Sequence, residues 1–286
     1  MEKISIPREL DIQINKQIAD LVNKVTCQLF LKDGKYDFSP LGTGVLVKLG
    51  GIHYIFTAAH VAEEFDKKLF LMTPTGKFIE LFGECQMSNY NKKPKFDVAY
   101  FKLSKGFGEI LERNFTFLKK ENIETSHELL DAANYAIFGY PASNVKEVEE
   151  NVVSTKASLF IVKPLEDKAY DYYKFEKHLF YILEFKGRGI SLETGEKSNK
   201  LGKQNGLSGC GLWFMEVTKL DGQEYEVVFS LIGIMTDERY GKYKSLIANK
   251  INVLISGIAS MDNNEEAKIL LANSSEVYIH ERKSEG

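Results

Sequence analysis

The chain contains a long succession of short β-rich runs, each bounded by glycine, proline, asparagine or aspartate, and this pattern constrains its fold more than any other feature. About six runs precede residue 105, and about six more follow residue 131. No helical segments alternate regularly with them, so the pattern predicts an all-β barrel or sandwich protein. The predicted strands are Val25–Leu31, Gly44–Lys48, His53–Thr57, Lys68–Met72, Lys77–Gln86, Asp97–Leu103, Asn134–Gly139, Val152–Val162, Leu179–Phe185, Gly211–Val217, Glu226–Met235 and Ser245–Ala248.

Two predicted helices flank the strands. Apolar residues recur at helical spacing in residues 8–24, with charged residues between them, and the same spacing recurs in residues 249–258. Residues 105–131 lack clean alternation, so they are predicted to connect two β-rich halves. The sequence after residue 262 is polar at both ends, and we expect residues 263–286 to form a polar, partly disordered tail.

Composition argues against several classes of protein. The 286 residues carry 37 Lys and Arg against 40 Asp and Glu, so no strong overall field would draw the chain to nucleic acid or to an anionic membrane. Nowhere do roughly 18 apolar residues follow one another, and the first residues lack the apolar stretch of a secretory signal. We therefore expect a cytoplasmic protein with no nucleic-acid partner and no membrane span.

The cysteines argue against a fold held by disulfides or by a metal. Three occur, at Cys27, Cys85 and Cys210, and they form neither a CxxC pair nor a Cys/His spacing typical of zinc. We expect neither a disulfide framework nor a structural metal.

Three short segments contain the residues that could perform chemistry. The first is TAAH, which places His60 just after the end of a predicted strand. The second is FDVAYFKL, which places Asp97 at the start of an alternating, half-buried strand. The third is NGLSGCG, which places Ser208 in a turn rich in glycine.

These residue types suit nucleophilic catalysis. A serine hydroxyl is a poor nucleophile until a base takes its proton, and a carboxylate orients and stabilises a histidine base. Glycine permits unusual backbone angles, so amide N–H groups around the serine can converge on the oxyanion that forms during acyl transfer.

Taken together and in this order, TAAH, FDVAYFKL and GLSGCG resemble the trypsin/chymotrypsin family. The segments Gly139-Tyr140-Pro141 and 231–236 (LIGIMT) extend the resemblance into the second half, and residues 247–258 resemble the family's C-terminal helix. The resemblance implies two six-stranded antiparallel β-barrels, with an N-terminal helix over 1–24. The first barrel would span 25–125, and the second barrel with its closing helix 126–262.

The resemblance also implies residue roles. Ser208 would be the nucleophile, His60 the general base and then acid, and Asp97 the carboxylate that fixes the imidazole tautomer. The backbone amides of Gly206 and Ser208 would form the oxyanion hole. The implied reaction hydrolyses a peptide bond in a protein or peptide substrate through an acyl-enzyme, without a cofactor. Such an enzyme would be selective, with a regulatory partner protein possible, as in bacterial stress or defence pathways.

Some positions depart from the family pattern. Val61 stands where secreted members carry cysteine, which supports an intracellular protein. Leu207 stands where many secreted members carry an aspartate that pairs with a newly cleaved N-terminus. We therefore expect activation without N-terminal cleavage, and an oxyanion hole formed only when a partner or substrate arrives is an alternative.

The residues that would contact substrate are less sharply indicated. By alignment the base of the specificity pocket is Gly202, which is not acidic. Thr236 is followed by Asp237 and Glu238 on the predicted cleft strand, and these could supply a negative wall favouring basic residues. The loop 186–203 precedes Ser208 and is by default a solvated loop, with a gating role conceivable.

Three alternatives stay open. A binding or scaffold protein could retain this fold without activity. An esterase could use the same residues, although it would need an α/β sheet that the strand pattern does not suggest. Cys210 could be a rival nucleophile, but the motif places it two residues beyond the nucleophile position, as expected for a small core residue.

Overall fold

Strands dominate the structure, a computed structural model that describes residues 8–33, 37–73, 75–89, 95–130, 133–149, 152–185, 188–190, 197–200, 206–219 and 225–273. The strands form a curled antiparallel sheet in the N-terminal half and a closed barrel in the C-terminal half. Helices lie at both ends of this arrangement. The predicted all-β, chymotrypsin-like double-barrel fold is thereby confirmed, although only one of the two barrels closes.

The N-terminal sheet is a curled half-barrel with strand order β5-β4-β1-β2-β3-β7-β6. Its strands are β1 Thr26–Asp33, β2 Asp37–Leu49, β3 Ile52–Thr57, β4 Leu69–Met72, β5 Phe78–Glu80, β6 Gly83–Met87 and β7 Ala99–Leu103. The run 77–86, predicted as one strand, is two, because β5 and β6 pair at opposite edges of the sheet. Leu81 and Phe82 cross between the edges: the Leu81 amide donates to the Leu69 carbonyl, and the Ser104 amide donates to the Phe82 carbonyl.

The C-terminal barrel closes through six antiparallel strands, β12-β17-β16-β15-β8-β11, with β11 pairing back to β12. Strands β13 and β14 extend from β11, and β9 and β10 form a separate hairpin. The ranges are β8 Asn134–Gly139, β9 Lys146–Glu149, β10 Val152–Ser154, β11 Ser158–Pro164, β12 Phe180–Glu184, β13 Arg188–Ile190, β14 Lys197–Lys200, β15 Gly211–Lys219, β16 Tyr225–Tyr240 and β17 Lys244–Lys250. The run 152–162, predicted as one strand, is therefore two, β10 and β11.

The helices are short apart from those at the two ends. They are α1 Arg8–Asn23, α2 Ala59–Ala62, α3 Lys105–Leu111, α4 Asp167–Tyr173, α5 Ile251–Met261 and α6 Glu265–Ala272. Helices α1 and α5 occupy the two segments in which helices were predicted. Helix α6 lies within the segment predicted as a polar tail, of which residues 274–286 are outside the described residues. Within the described ranges, no helix has the length and apolarity needed to cross a membrane.

One apolar core joins the N-terminal sheet, the barrel and the end helices. It contains Val45, Val47, Tyr54 and Phe56 from the sheet, Phe138, Trp213, Leu231 and Ile234 from the barrel, Ile14, Ile18 and Val22 from α1, and Leu254, Ile255 and Ile258 from α5. The apolar residues of α1 recur every four positions, so they form one stripe that faces both β units. The helix therefore packs at the junction of the two halves.

Replacement of a buried residue in α1 is expected to destabilise the whole protein. Ile18 is 2% exposed in the shared core, so Ile18→Ala should lower the free energy of unfolding by about 2–5 kcal/mol. Gln17 is exposed on the same helix, so Gln17→Ala should change it by less than about 0.5 kcal/mol. Denaturant unfolding measures both. Equal stabilities of the two variants would show that α1 does not contribute to the core.

Candidate active site

Strand pairing brings His60 and Asp97 together. His60 lies in α2, three residues after β3 ends, and Asp97 lies two residues before β7 begins. Strands β3 and β7 are antiparallel, with Thr57 opposite Ala99, so the end of one strand meets the start of the other. His60 Nδ1 lies 2.7 Å from Asp97 Oδ2, and the His60 backbone amide donates to Oδ1 at 3.0 Å. Both carboxylate oxygens therefore hold the histidine.

Asp97 is also held from the barrel. Its backbone amide donates to Asn249 Oδ1 at 3.3 Å, and Asn249 is fully buried on β17. Sequence reasoning missed this residue. The available signal was a polar side chain within the apolar run that ends β17 and begins α5, because a buried amide generally has a specific partner.

Ser208 lies in a turn that the barrel shapes. The Gly209 amide donates to the Met235 carbonyl at 2.7 Å, and the Met235 amide donates to the Cys210 carbonyl at 2.8 Å, which joins the turn to β16. The side chain of Leu207 is 2% exposed and packs in the barrel core. Gly206 and Gly209 have φ angles of 95° and 86°, a region that side-chain-bearing residues rarely adopt. Glycine is therefore required at both sides of the Leu207–Ser208 pair.

The same turn contacts the segment that carries His60. A β-carbon built on Gly42 would lie 2.8 Å from the Val61 side chain and 3.0 Å from the Ser208 carbonyl oxygen. A β-carbon on Gly209 would lie 3.0 Å from the Ala58 amide nitrogen. The turn and the start of α2 are thus neighbours across the junction of the two halves.

Among the described residues, the Ser208 hydroxyl makes no hydrogen bond to His60. Hydrogen bonds between catalytic groups are often long or poorly aligned in free enzymes and shorten when substrate binds. The structure therefore brings His60 and Asp97 into direct contact and places Ser208 in an adjoining turn.

The amides of Gly206 and Ser208 differ from those of the two residues that follow them. Neither donates a hydrogen bond to another described residue, whereas the amides of Gly209 and Cys210 both do. Backbone N–H groups held within one short turn can bind a developing oxyanion without reorganisation at the moment of reaction.

Electrostatics favour the protonated form of His60. Burial by itself lowers its pKa, because it penalises the charged imidazolium. The hydrogen bond and charge of Asp97 raise it, and the charges of Asp237 and Glu63 raise it further. The net result is a pKa above the usual range of histidine, as expected for a base beside an ionised carboxylate.

The predicted wall residues on β16 have different environments. Thr236 is buried, and its hydroxyl donates to the Ile247 carbonyl at 3.4 Å. Asp237 is partly exposed and forms an ion pair with Arg239, which sequence reasoning did not include. Glu238 is partly buried. Gly202, predicted at the pocket base, lies outside the described residues, as does most of the loop 186–203.

Cys210 is fully buried in the barrel core, and burial raises its pKa well above the usual thiol range. A thiol without access to solvent or to a base stays protonated and unreactive at neutral pH. This environment favours Ser208 over Cys210 as nucleophile.

Comparison with known proteins adds no relative. No family model matches the chain, and no curated protein is significantly similar to it in sequence. Inferences about function therefore depend on the geometry of the site and on its motifs.

Titration of His60 tests the electrostatics of the site. We expect His60 to titrate above about 6.5, because the negative charges around it stabilise the protonated ring. Asp97→Asn should lower this pKa more than Asp237→Asn, since Asp97 contributes both a hydrogen bond and a charge. NMR of the imidazole resonances measures each value. Equal pKa values in all three proteins would contradict the assignment.

The turn should not tolerate a side chain at Gly209. Gly209→Ala would force a strained backbone angle and overlap Thr57 Oγ1 and the Thr43 carbonyl, so we expect a stability loss of more than about 2 kcal/mol. A β-carbon on Gly106 in α3 would meet nothing within 4 Å, so Gly106→Ala should be neutral or stabilising. Denaturant unfolding compares them, and a stable Gly209→Ala variant would refute the tight turn.

Proposed function

We propose that this protein is a serine endopeptidase of the trypsin/chymotrypsin type. The observation that carries the proposal is the hydrogen bond of 2.7 Å between His60 Nδ1 and Asp97 Oδ2. This pair lies beside a turn that contains Ser208 and is bounded by two glycines. A histidine held by a carboxylate next to a partly exposed serine is the arrangement that acyl transfer requires. The double-barrel fold supports the same reading, although a fold alone does not define an activity.

The proposed mechanism has two halves. In the first, Ser208 Oγ attacks the peptide carbonyl while its proton passes to His60 Nε2, and Asp97 stabilises the resulting imidazolium. The amides of Gly206 and Ser208 bind the oxyanion, and its collapse breaks the C–N bond as His60 returns the proton to the leaving amine. In the second half, water attacks the acyl-enzyme with His60 again as base, which releases the acid and restores Ser208.

The substrate is proposed to be a protein or peptide with a basic residue near the cleaved bond. The charge of Asp237 is one of those that raise the pKa of His60, which supports a place for it on the substrate side of the site. Its ion pair with Arg239 would have to exchange for the substrate's cation, with Glu238 beside it. Selectivity of this kind suits a regulated enzyme, which we propose acts on a dedicated partner protein.

The cytoplasm is the proposed compartment, and a bacterial stress or defence pathway is the proposed setting. Cys27 and Cys210 are buried free thiols. Free thiols persist where the surroundings are reducing.

A catalytically silent protease-fold binding protein is the second candidate. The observation that favours it is the missing hydrogen bond between the Ser208 hydroxyl and His60 within the part of the chain that the structure describes. This candidate predicts that Ser208 never becomes nucleophilic, with or without a substrate.

A fluorophosphonate probe distinguishes the two candidates. An activated serine displaces fluoride from phosphorus: the Oγ–P bond forms, the P–F bond breaks, and His60 takes the hydroxyl proton. We expect mass spectrometry to locate the label on Ser208 in the wild type and in Cys210→Ala. Ser208→Ala and His60→Ala should lose it, with far-ultraviolet circular dichroism confirming their fold. An unlabelled wild-type protein would contradict constitutive activity and favour the binding protein.

A further inference from the structure

Thr43 is a buried residue of β2 that no motif singled out. Its side chain is fully buried, and it lies between Gly42 and Gly44 on the strand that faces the barrel. Its backbone and hydroxyl groups take part in bonds to three different parts of the chain. Thr43 is not among the residues of the proposed mechanism.

The bonds of Thr43 converge on the turn that holds Ser208. Its hydroxyl donates to the Gly206 carbonyl at 2.8 Å and accepts from the Tyr140 amide at 3.2 Å. Its backbone amide donates to the Ser208 carbonyl at 2.9 Å. One residue of the N-terminal sheet therefore holds the carbonyls of Gly206 and Ser208, one before and one after the Leu207–Ser208 peptide.

These two bonds hold the Gly206–Leu207 and Ser208–Gly209 peptide planes, which lie on either side of the Leu207–Ser208 peptide that carries the Ser208 amide. A carbonyl held in a hydrogen bond sets the ψ angle of its own residue, so Thr43 restrains Gly206 and Ser208, whose amides are the proposed oxyanion donors. The hydroxyl is itself restrained, since it donates one hydrogen bond and accepts another. The Thr57 hydroxyl holds the Thr43 carbonyl at 2.8 Å, which completes the support.

The rest of the turn offers no charged anchor. Leu207 is buried in the barrel core and has no group that could form an ion pair. Buried hydrogen bonds from a rigid strand can anchor the turn as an ion pair would, because breaking them would leave unpaired polar groups in the core. The strand β2 supplies that rigidity through its pairing with β1 and β3.

We propose that the Thr43 hydroxyl is a positioning group that keeps the turn from Gly206 to Ser208 set for oxyanion binding without cleavage or a partner. This inference rests on the proposed function, because it concerns the amides that would bind the oxyanion. It assigns to Thr43 no contact with the substrate and no proton transfer.

Two substitutions isolate the hydroxyl. Thr43→Val keeps the shape of the side chain and removes both hydroxyl hydrogen bonds, whereas Thr43→Ser keeps them. Thr26→Val is the matched control, because Thr26 is also buried and its hydroxyl donates to the Val22 carbonyl of α1 at 2.8 Å rather than to the turn. Thermal unfolding of all three variants reports any general loss of stability.

The fluorophosphonate probe measures the effect on reactivity. We expect Thr43→Val to lower the labelling rate constant of Ser208 at saturating probe by about 10-fold or more, within the roughly 100- to 1000-fold lost when an oxyanion donor is removed. Probe affinity should change little. Thr43→Ser and Thr26→Val should stay within about 3-fold of wild type, because the serine retains both hydrogen bonds and the Thr26 hydroxyl bonds to α1 instead of the turn. A wild-type rate in Thr43→Val would overturn the inference.

Hydrogen exchange tests the clamp, meaning the hydrogen bonds by which Thr43 holds the turn, independently of activity. The amides of Gly209 and Cys210 donate to the Met235 and Leu207 carbonyls, so they report opening of the turn. We expect Thr43→Val to raise their exchange rates by about 10-fold or more relative to Thr26→Val, as the loss of a buried hydrogen bond implies. Unchanged exchange would reject the clamp. An unlabelled wild type with faster exchange in Thr43→Val would instead reject the proposed protease and retain the clamp.

Discussion

The candidate site depends on the contact between strand β2 and the turn that carries Ser208. The two units meet there through backbone groups, with the Thr43 amide on the Ser208 carbonyl and the Gly209 β-carbon position filled by atoms of Thr43 and Thr57. Such a close approach leaves room for no side chain, so glycine is required at 209. Displacement of one half relative to the other would separate the serine turn from the segment of His60. The geometry of the site is therefore a property of the interface rather than of either half.

The apolar core explains why that interface is firm. Side chains of both β units and of two end helices share one cluster, in which Trp213 and Phe56 are fully buried. Burial of this kind is the main favourable term in folding, and it is not directional. Hydrogen bonds are directional, and two of them cross between the halves. Asn249 of the barrel accepts from the Asp97 backbone amide, and the Thr43 hydroxyl of the sheet donates to the Gly206 carbonyl in the turn. Packing thus holds the two halves together, and a few buried hydrogen bonds fix their relative position.

The electrostatics of His60 follow from the same arrangement. Partial burial would leave the ring neutral, but burial also strengthens its interaction with Asp97. The carboxylate accepts from the His60 backbone amide and faces Nδ1; because an ionised carboxylate can only accept, Nδ1 then carries the proton, and Nε2 is the acceptor of the neutral ring. The fold places the turn that contains Ser208 next to the segment that carries this histidine.

The sequence by itself determined the local features. Alternating and turn-rich patterns predicted most strands, and the motifs around His60, Asp97 and Ser208 indicated the candidate site, because strand periodicity and glycine preference are encoded within a few residues. Only the tertiary structure decided which sheet closes, since closure depends on whether the two edge strands pair, as β11 and β12 do. It also decided that α6 is a helix: Asn264 caps it and donates to the Leu49 carbonyl, a contact 215 residues away in sequence. The hydrogen bonds of Thr43 and Asn249 are likewise visible only in the tertiary structure, because a bond between segments far apart in the chain produces no periodic pattern in the sequence.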